Sequence, residues 1–380
     1  MTVGGPLAGT TVVELAGIGP GPFAGMLLAD LGADVVRVDR PTASGGAAPS
    51  SPADVLNRGK RSVVLDLKRP EAVEAVLALC ETADVLIEGN RPGVTERLGV
   101  GPDDVWARNP RVVYGRMTGW GQDGPLAARA GHDIGYIAVT GALHAMGEHG
   151  GPPQVPLNLV GDFGGGATYL VVGVLAALLE ASRTGRGQVV DAAIVDGASH
   201  LLAAIHTLLG SGRWRDERGV NLLDGSTPWY SVYETADGRH MAVGAIEPKF
   251  YAELLAVLGV DEDPSRQHER AHWPELRATL AAAFAGRTQA EWTERFEGTD
   301  ACVAPVLGLS EAAAHPHVAA RGSVVERDGL LQPGPAPRFP ANPVDGTPEP
   351  YVPGADTREA LKAAGVEVED LLARGSAVQS

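Results

Sequence analysis

The order of apolar segments in the first part of the chain predicts a parallel β-sheet. An apolar strand at 11–15 is followed by a Gly/Pro loop at 17–22, a helix at 23–31 and a second strand at 35–38. A strand, a helix and a strand in this order form a right-handed crossover between parallel strands. The alternation continues with a strand at 62–65, a helix at 71–82, and two further strands at 85–87 and 112–116. The sequence therefore predicts a doubly wound α/β domain.

The chain changes character after residue 225. Strands at 230–235 and 240–243 flank Ala236-Asp237-Gly238-Arg239, which is a hairpin turn signal. Three helices follow, at 249–258, 274–285 and 290–296. This part of the sequence predicts a smaller α+β domain over 225–325. A Pro-rich stretch at 333–353 then predicts an extended return segment.

Composition and charge exclude several classes of protein. A chain of 380 residues with 44% hydrophobic and 21% charged residues is typical of a two-domain globular protein. The formal net charge of −16 argues against nucleic acid or an anionic membrane as the main partner. Two cysteines, Cys80 and Cys302, favour a reducing compartment. The first residues lack a signal-peptide layout, and the longest apolar run, 169–179, is too short to span a bilayer. We therefore expect a cytoplasmic protein.

A histidine and a carboxylate, each beside glycine, are the leading candidates for catalysis. They lie in Gly131-His132-Asp133 and in Gly161-Asp162-Phe163-Gly164-Gly165-Gly166. We expect Asp162 to cap a helix that begins at Phe163, so that free N–H groups at 161–166 form an oxyanion site. The three glycines indicate close approach of a ligand to the backbone. Two bases and an oxyanion site are what proton transfer beside a carbonyl requires.

Two further patterns suggest roles in a site. Glu247, between a strand and a helix start, is a helix cap or an acid that orients a histidine. A basic cluster in this acidic chain is a candidate phosphate site, against the alternative of a solvated face. Its members are Arg37, Arg40, Arg58, Lys60, Arg61, Lys68 and Arg69. Arg91 and Arg97 follow a strand at the sheet edge where α/β proteins bind ligands.

The loop Gly17-Ile18-Gly19-Pro20-Gly21-Pro22 only partly matches a dinucleotide-binding fingerprint. Asp39 lies at a suitable distance, but proline stands at 22 where the third glycine is required, and Pro20 removes a donor. A tight structural turn before the helix explains the loop better. A nicotinamide-dependent oxidoreductase remains a functional hypothesis, and it ranks third after the two that are described below.

Several motifs together resemble one family over nearly the whole chain. Those shared with the family III CoA-transferase superfamily are Val13-Glu14-Leu15-Ala16-Gly17, Leu31-Gly32-Ala33-Asp34-Val35-Val36-Arg37-Val38, Asp84-Val85-Leu86-Ile87-Glu88-Gly89-Asn90-Arg91-Pro92-Gly93 and Thr118-Gly119-Trp120-Gly121. Gly131-His132-Asp133-Ile134, Gly161–Gly166 and Gly244-Ala245-Ile246-Glu247-Pro248 are similar to its α-methylacyl-CoA racemase branch.

The resemblance implies a fold and an assembly. It implies an α/β fold with a large Rossmann-like parallel-sheet domain at 1–195, completed by 328–380. A connecting helix and linker follow at 196–224, and the small α+β domain occupies 225–325. It also implies an interlocked homodimer, whose active sites lie between the large domain of one subunit and the small domain of the other.

The resemblance also implies a reaction and its residues. His132 and Asp162 match the two bases that epimerise an acyl-CoA thioester, and Glu247 matches the acid that pairs with the histidine. CoA is part of the substrate, and the chemistry needs no metal or other cofactor. The runner-up is a CoA-transferase in which Asp162 is a nucleophile. The implied CoA contacts are Arg40, Leu65, Asp66, Leu67, Lys68, Gly89, Asn90, Arg91, Arg97, Gly131, His132, Asp133, Ile134, Gly135 and Tyr136.

Overall fold

The computed structural model of the chain describes residues 4–344 and 349–380. The described strands are β1 (Thr11–Leu15), β2 (Asp34–Asp39), β3 (Arg61–Leu65), β4 (Val85–Glu88), β5 (Val113–Thr118), β6 (Val189–Ala193), β7 (Tyr230–Glu234), β8 (His240–Gly244), β9 (Val303–Pro305), β10 (Val324–Arg327), β11 (Leu330–Pro333) and β12 (Ala377–Val378). The described α-helices are α1 (Pro20–Asp30), α2 (Pro70–Glu81), α3 (Val94–Leu98), α4 (Pro102–Arg108), α5 (Asp133–Val139), α6 (Thr168–Thr184), α7 (Ile194–Leu201), α8 (Ala203–Gly210), α9 (Pro248–Leu258), α10 (Trp273–Phe284), α11 (Gln289–Phe296), α12 (Leu309–Ala312), α13 (Pro316–Arg321), α14 (Thr357–Ala363) and α15 (Val368–Ala373). A π-helix spans Leu159–Ala167, and short 3₁₀ turns lie at Val55–Asn57, Pro264–Arg266 and Arg270–His272.

The chain divides into two compact units. The larger unit comprises the residues up to Thr140, Leu157–Leu201 and the residues from Pro316 onward, and the smaller comprises Gly141–Pro156 and Leu202–His315. These bounds differ from the expected ones in three respects. Residues 141–156 belong to the smaller unit, and the expected connecting segment 196–224 is divided between the two at Leu202. The smaller unit ends at His315 and not at 325, and the larger unit resumes at Pro316.

The larger unit is built on a seven-stranded sheet in the order β12-β3-β2-β1-β4-β5-β6. Its strands are parallel except β12, which pairs antiparallel with β3. The predicted parallel sheet is confirmed, and its order 3-2-1-4-5-6 is that of the Rossmann fold. The strands are apolar along nearly their whole length because helices cover both faces. Helices α2, α4, α14 and α15 contribute to the core on one face, and α1 and α6 to the core on the other.

The strand order reverses between β1 and β4, which pair directly through Val13 and Leu86. The loops that follow these two strands diverge, and open α/β sheets bind ligands in the crevice that such divergence leaves. The loop after β1 leads into α1, and the loop after β4 begins at Gly89. This edge of the sheet positions the candidate site described below.

The helix that carries Asp162 begins earlier than the sequence predicts. It starts at Leu159 as a π-helix with Asn158 as its N-terminal cap residue, and it continues as α6. The prediction that Asp162 caps a helix from Phe163 is therefore wrong. Asp162 lies inside the first π-helical turn, a form of helix that is rare and frequent at functional sites.

The glycine run in this helix serves packing between helices. A Cβ atom at Gly165 would lie 2.6 Å from the backbone nitrogen of Ala198 in α7. A Cβ atom at Gly166 would lie 3.0 Å from Ile194, and one at Gly197 would overlap the Gly165 carbonyl. The inference that these glycines admit a ligand to the backbone is thus wrong, since they admit α7 instead.

The helical segment Leu159–Thr184 is 26 residues long and apolar enough, with a mean hydropathy of 1.6, to cross a membrane by length and composition. The expectation from sequence rested only on the apolar run at 169–179, which is too short to span a bilayer. The helix extends beyond that run at both ends, so its full length was not expected. Core helices of α/β domains pass the same test. Here Leu170 and Val174 are fully buried against the sheet.

The smaller unit confirms the predicted hairpin and helices. Strands β7, β8 and β9 form an antiparallel sheet, and α9, α10 and α11 cover an aromatic core. The fully buried members of this core include Trp229, Tyr251 and Phe284. The Thr288 hydroxyl accepts the Glu291 N–H, and the Glu291 carboxylate accepts the Thr288 N–H, so α11 begins with a capping box.

The segment after the smaller unit contains structure that the sequence did not reveal. Strands β10 and β11 form an antiparallel hairpin at the start of the Pro-rich stretch. Part of that predicted return segment, 345–348, lies outside the described residues. Asp356 precedes α14, but its carboxylate accepts the Ser62 N–H at 2.8 Å and does not cap the helix. This bond fixes the returning chain to β3.

Candidate active site

The structure brings the segments of His132 and Asp162 together in the larger unit. His132 is the N-terminal cap residue of α5 and is exposed, and Asp133 is the first residue of that helix. The Asp133 carboxylate accepts a hydrogen bond from the Asp162 backbone N–H at 2.7 Å. The charge of His132 also acts on the Asp162 carboxyl. The two side chains named from sequence thus belong to one site.

The Asp162 carboxyl is half-buried, and its pKa lies above the ordinary value. Burial is the main cause, and the negative charge of Asp133 raises the pKa further. A hydrogen bond from the Asn158 side-chain amide at 3.3 Å and the charge of His132 act in the opposite direction. An acid with a raised pKa is better matched to giving and taking protons near neutral pH.

The expected oxyanion donors at 161–166 are only partly available. The Asp162 N–H is bound by Asp133, and the Phe163 N–H donates to the Asn158 carbonyl oxygen at 3.2 Å. The expectation was wrong for these two donors because the helix begins one turn earlier. At the start of α5, the Asp133 and Ile134 N–H groups have no acceptor among the described residues. Those two donors directly follow His132.

The loop after β1 lies against the Asp162 carboxyl. A Cβ atom at Gly19 would lie 3.2 Å from Oδ2 of Asp162, and Gly19 has a φ of 68°. Arg37 of β2 donates to the Gly17 carbonyl at 3.3 Å and so fixes this loop. Ile18, between the two glycines, is 83% exposed. The sequence suggested a tight turn here but not its contact with Asp162.

Three members of the predicted basic cluster are structural. Arg37 and Lys60 both form ion pairs with Glu14, which is fully buried in β1. Arg58 pairs with buried Asp30 at 2.7 Å. These cations cannot bind a phosphate, and the prediction was wrong for them because their carboxylate partners lie far away in sequence. Arg61 and Arg69 also have carboxylate partners, Asp34 and Asp66.

The remaining basic residues lie at the carboxyl edge of the sheet. Arg40, directly after β2, is exposed and donates to the side-chain oxygen of Asn90 at 3.4 Å. Lys68, Arg91 and Arg97 are exposed as well. The loops after β2, β3 and β4 thus present cations at one edge, as the sequence predicts.

The loop that holds Asn90 and Arg91 is anchored by a buried acid. Glu88, the last residue of β4, accepts the Asn90 backbone N–H at 2.6 Å. Burial raises the pKa of Glu88 to about 7, against the lowering effects of the Asn90 bond and of Arg116. A carboxyl that titrates near neutrality therefore supports the loop.

The other predicted CoA contacts differ in their accessibility. Leu65 is fully buried, so its side chain cannot touch a ligand, and Leu67 packs against the core. The Asp66 N–H donates to the Ser376 carbonyl at 2.9 Å. Tyr136 is nearly buried, with its ring edge-on to Trp120 at 4.8 Å between centroids. Gly89 is exposed, and Gly131 and Gly135 are half-buried.

Glu247 lies in the smaller unit. It is exposed, it is the N-terminal cap residue of α9, and its side chain makes no capping hydrogen bond. Its predicted pairing with the histidine stays a prediction. Throughout the described ranges, no group of three or more His, Cys, Asp or Glu residues is placed to hold a metal ion.

Two contacts at this site were missed from sequence, one made by Asp162 and one by its neighbour Phe163. Asn158 lies four residues before Asp162, which is the spacing that brings side chains together on a helix. This signal was lost because the helix was expected to begin after Asp162. Phe23 of α1 stacks on Phe163 with ring centroids 4.3 Å apart, and nothing in the local pattern indicates that pair.

Comparison with known proteins places the chain in a family. The sequence model of CoA-transferase family III matches residues 7–356. The α-methylacyl-CoA racemases of Mus musculus and Homo sapiens are 46% and 44% identical over 371 residues, which is 96% of this chain and 95% of each relative. A crystal structure of Rv3272 from Mycobacterium tuberculosis superposes with a TM-score of 0.76 at 29% identity, covering 94% of this chain and 99% of that one. The chain therefore belongs to CoA-transferase family III.

Proposed function

We propose that this chain interconverts the (R) and (S) forms of 2-methylacyl-CoA thioesters by moving the proton on carbon 2. The observation that carries the proposal is the convergence of His132 with Asp162, whose carboxyl has a raised pKa. The relatives named α-methylacyl-CoA racemase support it over nearly their whole length.

The reaction needs a base on one face of carbon 2 and an acid on the other. Neutral His132 with protonated Asp162, or the reverse pair, supplies both, so either enantiomer meets a base and an acid. Each proton transfer of this kind contributes roughly 10²–10⁴-fold to the rate. The proton returned to carbon 2 comes from the other residue of the pair. Because that residue exchanges its proton with water, the new hydrogen derives from solvent.

Removal of the proton leaves an enolate whose oxygen carries negative charge. The Asp133 and Ile134 N–H groups follow His132 and lack acceptors within the described chain, so we assign the enolate oxygen to them. Loss of one such donor costs about 2.7–4 kcal/mol of transition-state stabilisation.

We assign the CoA portion to the carboxyl edge of the larger sheet. The exposed cations Arg40, Lys68, Arg91 and Arg97 suit the phosphates, since arginine and lysine both bind phosphate oxygens. Asn90, held between Arg40 and Glu88, suits a polar contact. Because Leu65 is fully buried, its contribution is limited to the backbone.

We also propose a homodimer in which Glu247 of one subunit orients His132 of the other. Large apolar side chains exposed in the larger unit support a protein interface: Ile18, Leu157, Leu159, Val172 and Leu179. Sedimentation at several concentrations tests the dimer. Co-expressed His132→Ala and Glu247→Ala chains, purified as the mixed dimer, should recover activity in one of their two sites, and an inactive, folded mixed dimer would contradict the shared site.

The second candidate is CoA transfer through a mixed anhydride on Asp162. The human succinyl-CoA:glutarate CoA-transferase is 30% identical over 94% of this chain, so the family contains this activity. The higher identity to the racemases favours epimerisation.

Heavy water separates the two activities. A single enantiomer of a 2-methylacyl-CoA, incubated in heavy water without an acceptor acid, should gain deuterium at carbon 2 and become a mixture of enantiomers. Absence of deuterium would overturn the proposal. His132→Ala and Asp162→Asn should fold and bind CoA but lose exchange, whereas His317→Ala, at an exposed site in α13, should not.

A further inference from the structure

Asp133 joins the two catalytic segments through a single short bond. It directly follows His132 at the first position of α5, and Oδ1 accepts the Asp162 N–H at 2.7 Å. The residue is only 8% exposed, so its carboxylate faces the protein interior and not solvent. An acid at a helix start is ordinarily explained by the helix dipole alone. That explanation does not account for a bond to a different helix.

The packing around the Asp133 carboxylate leaves no space for a side chain at position 161. A Cβ atom at Gly161 would lie 2.3 Å from Oδ1 and 2.8 Å from Cγ of Asp133. Only glycine at position 161 therefore lets the π-helix approach the carboxylate closely enough for the bond.

The second carboxylate oxygen has no structural role of its own. Oδ2 of Asp133 is buried and has no hydrogen-bond partner within the described parts of the chain. Buried polar atoms without partners are uncommon in folded proteins, because leaving one unpaired is unfavourable. An uncharged acceptor would make the same bond to the Asp162 N–H. The bond therefore does not explain why the residue at position 133 carries a charge.

We infer that Asp133 is a positioning residue for the proposed epimerisation: it fixes the Asp162 backbone to the segment that begins at His132 and keeps a negative charge beside the Asp162 carboxyl. The inference rests on the proposed function and extends it to a group that does not itself exchange protons with the substrate.

The electrostatics agree with this role. The pKa of Asp162 is raised first by burial and then by Asp133, while Asn158 and His132 lower it. The other ionisable groups on the elements packed against the π-helix are Tyr136 of α5, Asp196 and His200 of α7, Asp30 of α1, Tyr169, Glu180 and Arg183 of α6, Tyr114 and Arg116 of β5 and Asp191 of β6. Asp30 pairs with Arg58 and His200 bonds Tyr169, and the charges of Asp162 and Arg91 both act on Tyr136.

Two substitutions separate the bond from the charge. Asp133→Asn keeps an oxygen acceptor for the Asp162 N–H but removes the charge. It should retain most of its kcat, and for the enantiomer whose proton Asp162 removes, the acid limb of kcat/KM should move to lower pH, because the negative charge that raises the pKa of Asp162 is removed. Asp133→Ala removes both the hydrogen-bond acceptor and the charge. Its kcat should fall about 10²-fold with little change in KM, because Asp162 is displaced.

Matched controls exist in α4. The Asp104 carboxylate accepts the Gly101 N–H at 3.0 Å, which is the same kind of bond in another place. Asp104→Asn and Asp104→Ala should leave kcat and the pH profile unchanged. Circular dichroism and thermal unfolding establish that each variant folds.

The outcomes distinguish the inference from the proposed function. If the unsubstituted protein shows no deuterium exchange, the proposed function fails. If it exchanges normally and Asp133→Asn leaves the acid limb in place, the inference is overturned, whether or not Asp133→Ala folds. A shifted acid limb in Asp133→Asn, with unchanged Asp104 controls, supports it.

Discussion

The side-chain amide of Asn158 donates a hydrogen bond to Oδ2 of Asp162 across 3.3 Å, from the cap position of the π-helix to its first turn. This bond favours the ionised carboxylate and so opposes the effect of burial on the pKa of Asp162. The protonation of the Asp162 carboxyl is thus set by opposing neighbours.

Removal of the Asn158 amide should raise the pKa of Asp162 further. For the enantiomer whose proton Asp162 removes, the acid limb of kcat/KM in Asn158→Ala should therefore move to higher pH. The exchange rate as a function of pH measures the shift. It is opposite in sign to that expected for Asp133→Asn, and a shift in the same direction would contradict the assignment of neighbours.

A methyl group at position 19 should impair the reaction without unfolding the protein. Gly19→Ala places a carbon 3.2 Å from the Asp162 carboxylate in a backbone with φ of 68°. The left-handed conformation alone costs roughly 1–2 kcal/mol for a residue with a Cβ atom. Gly17→Ala is the matched control, because its Cβ meets nothing within 4 Å. We expect kcat to fall for the first variant only, and equal rates would show that the loop does not support Asp162.

Loss of the buried ion pairs of Glu14 should strongly destabilise the larger unit. Glu14→Gln leaves Arg37 and Lys60 buried beside each other without that carboxylate. Breaking a buried pair in this way costs about 3–5 kcal/mol. Urea unfolding followed by circular dichroism measures the loss. Glu74→Gln, which removes an exposed partner of Arg108, should leave the midpoint nearly unchanged. Equal effects would contradict a role for burial.

Stability should fall as the pH rises through neutrality because of Glu88. Its pKa is raised from 4.5 to about 7 in the folded chain, so folding binds a proton between these values. The stability that this provides is complete below pH 4.5 and is lost as the pH rises through about 7, a change of about 3 kcal/mol. Glu88→Gln should remove this dependence. Unfolding free energies of both proteins at pH 5 and pH 8 test it, and parallel pH profiles would contradict it.

The sequence predicts the sheet well because its evidence is local. Each parallel strand is a short apolar run, and α1 follows a Gly/Pro loop whose proline begins the helix. The basic cluster shows the limit of such evidence. Arg37 and Lys60 look like free cations along the chain, yet the pairing of β2 with β1 places Glu14 beside them. No spacing in the sequence indicates that contact.

The candidate site was likewise predicted where the evidence is local and missed where it depends on contacts between distant residues. Glycine beside His132 and Asp162 singled out both residues, and the structure brings their segments together. The helix start was misplaced because an aspartate before an apolar run is the usual sign of a cap, whereas here Asn158 holds the cap position. Asn158 and Asp133 therefore acquired their contacts with Asp162 only once the fold was known.

The widened helix around Asp162 has a consequence for evolution. Loss of one residue between 159 and 167 would let this segment wind as an ordinary α-helix and would turn Asp162 by about 100° relative to α6. The carboxyl would then leave the side that His132 borders. A homologue with an alignment gap in these nine positions would keep the scaffold and even both bases, yet be catalytically silent.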